Sequence, residues 1–110
     1  MYTLNNSNIL NMVSVGFESI TVSTSVVGLT AANLTRDQKP APTAAVIQVL
    51  TNSINLTTDG TTVTNAVGGG TQRDAAAEFV VTTMSDLKKL RMIRIAAASA
   101  DATVNVTYLS

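Results

Sequence analysis

From Ile20 onward, apolar and polar residues alternate along the chain with a period of two. Ile20 and Val22 alternate with Thr21 and Ser23, and Ile54 and Leu56 with Asn55 and Thr57, as strands with one buried face require. The clearest repeat closes the chain: Val104, Val106 and Tyr108 fall on one face, and Thr103, Asn105 and Thr107 on the other. Ala77, Phe79 and Val81 alternate with Glu78 and Val80, and Ile93, Ile95 and Ala97 with Arg94 and Ala96, which predicts two further strands. Ala44 to Leu50 is a nearly continuous apolar run rich in β-branched residues. Such a run predicts a central strand covered on both faces.

Turn signals separate these segments. Asp59-Gly60 tolerates positive φ and precedes Thr62 to Thr64, which predicts a hairpin with Val63 on a short return strand. Ser99 to Asp101 predicts a second hairpin, making the Ile93 and Val104 strands antiparallel neighbours. Between Ser85 and Leu90 the pattern changes to one helical turn, with Ser85 as cap, Asp86 in the first turn and Lys88 and Lys89 near the end. Arg36 to Pro42 holds both prolines and reads as a surface loop. Short strands, frequent turns and no long helical period predict an all-β fold, a single-domain antiparallel β-sandwich or jelly-roll-like barrel spanning residues 17–110. Met1 to Gly16 mixes asparagines with apolar residues. It reads equally as an arm docking on a neighbour and as a first strand, with Tyr2, Leu4, Ile9, Leu10, Met12 and Val13 as candidate partner contacts.

A chain of 110 residues fits one core, since domains usually run to about 100–150 residues. Apolar residues make up 45% and charged residues 13%, with a formal net charge of zero. That balance lacks the basic footprint of a nucleic-acid binder, and a weakly charged neutral surface favours self-association. There is no Cys and no His, which removes disulfides, zinc–thiolate sites, thiol nucleophiles and the commonest general base. The N-terminal stretch lacks a secretory pattern, and no run of about 18 apolar residues occurs, so neither export nor membrane insertion is expected.

Candidate chemistry is thin. Gly68, Gly69 and Gly70 are not followed by the Lys-Ser or Lys-Thr of a phosphate loop and read as a flexible loop. Asp59, Asp74, Glu78, Asp86 and Asp101 are scattered singly, unlike the clustered oxygens of a calcium loop. No catalytic, metal or cofactor residue is assigned, and no enzymatic activity is expected. Asn33, Asn55 and Asn105 begin Asn-x-Thr triplets, which accept glycans only in a secretory pathway. Lys88, Lys89, Arg91 and Arg94 form the one basic concentration, without interleaved aromatics to stack bases, and suit a solvated face or an acidic partner; Lys88 and Lys89 join the candidate contacts. Tyr108 reads as a core residue with its hydroxyl near the rim.

Gly16-Phe17-Glu18-Ser19-Ile20-Thr21-Val22-Ser23, Gly28-Leu29-Thr30 and Ala45 to Leu50 are followed by Ile54 to Thr64, with its Asp59-Gly60-Thr61-Thr62-Val63-Thr64 element. Together with Leu90 to Arg94 and Thr103 to Tyr108, they resemble small structural proteins of tailed phages. The likeness spans roughly residues 16–110 and departs from the pattern at Val63, where a proline is common, and in the three-glycine loop. The resemblance implies a capsid decoration, or cement, protein. Such a protein is a homotrimer that binds major capsid subunits on the outside of an expanded head, assembled in the host cytoplasm, with no nucleic acid, membrane or cofactor involved. The other reading is a neck, tail or fibre component recognising a host glycan or receptor through loops such as Gly68 to Asp74.

Overall fold

The computed structural model describes residues 12–35 and 41–110. Seven strands carry the fold: β1 (Ser14–Val22), β2 (Ala44–Thr51), β3 (Ile54–Thr57), β4 (Thr71–Arg73), β5 (Glu78–Val81), β6 (Arg91–Arg94) and β7 (Ala102–Leu109). Two short helices interrupt them, α1 (Ala31–Leu34) and α2 (Met84–Lys89). The strands form a four-stranded sheet in the order β1-β7-β2-β5 and a three-stranded sheet in the order β4-β3-β6, with antiparallel pairing throughout. The fold is an all-β, antiparallel two-sheet sandwich.

Alternation decides which side chains fill it. Ile20 and Val22 of β1, Ile47 and Val49 of β2, and Val104, Val106 and Tyr108 of β7 point from the larger sheet into one cluster with Ile54, Leu56 and Met92 from the smaller. Leu87 and Leu90, in and just after α2, are fully buried against it. Each such side chain contributes about 1.5–3 kcal/mol by leaving water.

Four of the six steps between consecutive strands change sheet: β2 to β3, β4 to β5, β5 to β6 and β6 to β7. Asn52 and Ser53 alone carry the chain from β2 to β3. Asn52 does so in the left-handed region, at φ 57°, which asparagine tolerates, and its side-chain amide donates to the Asp101 carbonyl at 3.1 Å. After Val22 the chain leaves the edge of the larger sheet and runs beside β6: Val27 and Met92 exchange backbone hydrogen bonds of 2.9 and 2.8 Å, and the Arg94 N–H donates to the Ser23 carbonyl at 2.9 Å. The opposite border is formed by β4 and β5, joined through a turn in which Asp74 accepts from Ser53 Oγ at 2.8 Å and Gln72 Nε2 at 2.9 Å.

Several expectations need correction. The Ile93 and Val104 strands are not hairpin partners, because β6 and β7 lie in different sheets. The Asp59-Gly60 turn does form, with the Thr61 N–H donating to Asp59 at 2.9 Å and Thr57 Oγ1 donating to the Thr61 carbonyl at 2.7 Å. However, β3 pairs with β4 rather than with residues 62–64, and Val63 is buried in a loop. β2 is interior to its sheet but is not covered on both faces along its length: Ala45, Ile47 and Val49 are buried on one face, whereas on the other Ala44 is buried, Val46 half-buried, and Gln48 and Leu50 exposed. In β6 the core-facing residue is Met92, not the Ile93 parity, because Met92 sits opposite Leu56 and Ile93 opposite Asn55. The α2 cap is Thr83, whose hydroxyl accepts from the Asp86 N–H at 3.1 Å; Ser85 is already inside the helix.

Candidate functional site

From Gly16 onward the even-numbered residues of β1 turn inward and the odd ones line the outer face of the larger sheet, and strand register sorts that face into rungs. Phe17 lies opposite Thr107, Thr107 opposite Val46, and Val46 opposite Val80, so one rung crossing all four strands is mainly apolar. Phe17 is 60% exposed at its end, and Val46, Thr107 and Val80 are half-buried. The next rung is polar: Ser19, Asn105, Gln48 and Glu78 follow one another across the sheet, and Gln48 Nε2 donates to Glu78 at 2.9 Å. A third rung brings Thr21, Thr103 and Thr51 together, with Leu50, 46% exposed, beside it on β2. Phe17, Ser19, Thr21, Gln48, Leu50 and Glu78 of this weakly charged face are exposed, while Ala44 and Leu109 at its far end are buried. An aromatic ring and branched aliphatics presented on a flat polar sheet suit contact with another protein surface.

On the inner side, Glu18 occupies a core-facing position of β1. Its carboxylate accepts from Thr30 Oγ1 at 2.6 Å, from the Thr30 N–H at 3.2 Å, from Asn33 Nδ2 at 3.0 Å and from the Tyr108 hydroxyl. Burial raises its pKa, but the bonds from Thr30, Tyr108 and Asn33 outweigh burial and hold the carboxyl below its ordinary value. The cluster fastens the segment around α1 to the sheet.

The three-glycine loop is tightly built rather than slack. The Thr64 N–H donates to the Gly69 carbonyl and the Gly69 N–H to the Ala66 carbonyl, both at 2.9 Å. A Cβ on Gly69 would lie 2.5 Å from the Thr64 carbonyl oxygen, and Gly68 sits at φ +79°. Asn55, 2% exposed, holds this loop by donating from Nδ2 to the carbonyls of Thr64 and Ala66, each at 2.9 Å.

The expected contact residues separate. Tyr2, Leu4, Ile9 and Leu10 lie outside the described residues. Met12 is half-buried, and Val13, 65% exposed, exchanges backbone hydrogen bonds of 3.0 Å with Ser110, which continues the β1–β7 ladder. Within the 1–16 segment, Ser14 to Gly16 belong to β1. Lys88 borders a cleft beside α1, whereas Lys89 lies within electrostatic reach of Asp59 and Arg94 pairs with Asp101 at 2.8 Å. Asp59 and Asp74 serve turns and Glu78 bonds Gln48 across strands, and no group of three or more His, Cys, Asp or Glu able to hold a metal occurs among the described residues. Of the Asn-x-Thr residues, Asn33 bonds Glu18 and Asn55 anchors the glycine loop. Phe17, Val46 and Leu50 escaped the sequence reading as surface residues, whereas the alternation sets Val80 on the face of Glu78. The signal was parity: Phe17 is out of phase with Ile20 and Val22, and Val46 and Leu50 are out of phase with Ile47 and Val49. No protein-family model, curated protein or solved structure matches the chain.

Proposed function

We propose that this protein is a structural component of a tailed-phage virion, a decoration protein that docks on the outer surface of an assembled head and bridges major capsid subunits, most simply as a homotrimer. The observation that carries the reading is the outer face of the four-stranded sheet, where the Phe17, Thr107, Val46 and Val80 rung runs across all four strands and Phe17 is exposed at its end. The phage assignment itself rests on the resemblance of residues 16–110 to small virion proteins. A module that binds only the assembled shell stabilises it by mass action, and three linked copies hold far more tightly than one weak contact; no chemical step is required.

The test is co-sedimentation of purified protein with expanded heads lacking it, alongside the solution mass by light scattering. Saturable binding that raises the temperature of head disruption, from a protein of trimer mass, is the expected result. Absence of binding to expanded heads overturns the decoration role, and a ring of six or twelve copies points to a neck or tail position instead.

A further inference from the structure

Between α1 and the end of α2 lies a second feature, independent of the outer sheet face: a cleft of about 380 Å³ whose lining includes Gly28, Leu29, Leu34, Thr35, Lys88 and Arg91. Its floor is apolar, since Leu29 and Leu34 are 9% and 7% exposed, and its wall is cationic. Arg91 is held in place there. Its Nη1 donates to the Lys88 carbonyl at 3.0 Å and to the Leu90 carbonyl at 2.7 Å, which caps the C-terminal end of α2. The guanidinium packs on Gly28 so closely that a Cβ at that position would stand 2.8 Å from Nη1.

The cation inventory singles out this place. Among the described residues, Arg94 is paired with Asp101, Arg73 lies over the Phe79 ring with 5.3 Å to its centroid, and Lys89 is near Asp59. Lys88 and Arg91 have no carboxylate partner among the described residues, and both border the one cleft. Among the described residues, no acidic side chain lines it. A guanidinium already fixed by two carbonyls has lost its rotamer freedom before any ligand arrives, and its Nη2 and Nε make no hydrogen bond to a described residue, which leaves the fork that suits a carboxylate.

We infer that this cleft binds an acidic segment of a partner protein, placing a Glu or Asp carboxylate on Arg91 and Lys88 and a neighbouring apolar side chain against Leu29 and Leu34. The volume accommodates a few side chains, and two cations over an aliphatic floor match an alternating acidic and apolar sequence. A nucleic-acid backbone would call for a row of cations and stacking rings, which the described residues of this cleft do not supply. The inference goes beyond the virion reading and holds for whichever protein supplies the segment.

The test is a titration of the isotope-labelled protein with the blocked peptide acetyl-Ala-Leu-Glu-Ala-amide, followed by amide chemical shifts. Shifts concentrated at Gly28, Leu29, Leu34, Thr35 and Arg91 are expected. Binding should be about tenfold weaker for the Gln counterpart of the peptide and should weaken with added salt. Arg91→Gln should abolish the shifts. Lys88→Gln, at an exposed side chain, gives the same reading at weaker effect should Arg91→Gln disturb the helix end. Equal shifts with the Gln peptide, shifts confined to other surfaces, no response at all, or tighter binding of a short single-stranded oligonucleotide at the same amides each overturn the inference.

Discussion

Glu18 stands where the alternation of β1 calls for a hydrophobe, and its four hydrogen-bond contacts explain how a carboxylate is tolerated there. Replacing it with Leu leaves the buried Tyr108 hydroxyl and the Asn33 amide without this partner, so Glu18→Leu is expected to cost about 1–3 kcal/mol in urea unfolding. Its carboxyl titrates lower in the folded protein than in the unfolded chain. The stabilisation it gives is therefore complete above the unfolded-chain value of about 4.3 and is lost as pH falls through the lower folded value. Glu18→Gln should flatten the acid side of the stability–pH profile while leaving its neutral-to-basic side the same shape. Asn55 is the other polar residue whose position matters. Asn55→Ala removes both bonds to the glycine loop and should cost about 1–3 kcal/mol, with faster hydrogen exchange at Gly69 than at core amides of β7.

At the scale of elements, α2 tests how local signals are read. Ser85 and Thr83 both carry a capping hydroxyl, but only Thr83 has the extended backbone, φ −131° and ψ 148°, that aims its oxygen back at the Asp86 N–H. Thr83→Ala is therefore expected to lower stability by about 1 kcal/mol, whereas Ser85→Ala should stay within about 0.5 kcal/mol of the parent, as thermal unfolding would show. The loop between β3 and β4 carries the same lesson. Three successive glycines suggest slack in a sequence, yet Gly69 is required by contact with Thr64 and Gly70 by contact with the Leu56 backbone, where an added Cβ would stand 2.9 Å from the carbonyl oxygen. What looks like flexibility is close backbone approach.

For the whole molecule, the division of labour lies between the two faces of the larger sheet. Ile47→Ala, on the inner face and fully buried, should cost about 2–5 kcal/mol through lost burial and a residual cavity. Phe17→Glu, on the outer face, should leave the unfolding temperature close to that of the parent and abolish binding to assembled heads; retained binding would move the docking surface elsewhere. The sequence by itself determined the all-β class, most of the strands and the inward set Ile20, Val22, Ile54, Leu56, Val104, Val106 and Tyr108. Those follow from a period of two, which is a local property of the chain. It also marked the basic cluster without separating Lys88 and Arg91 at the cleft from Arg94 in its ion pair. Only the tertiary structure decided sheet membership, because a turn of a few residues reads the same whether the chain returns within its sheet or crosses to the other. For the same reason it alone set β6 against the core with Met92 inward, left Gln48 and Leu50 of β2 exposed, and aligned Phe17, Thr107, Val46 and Val80 across four strands that are distant in sequence.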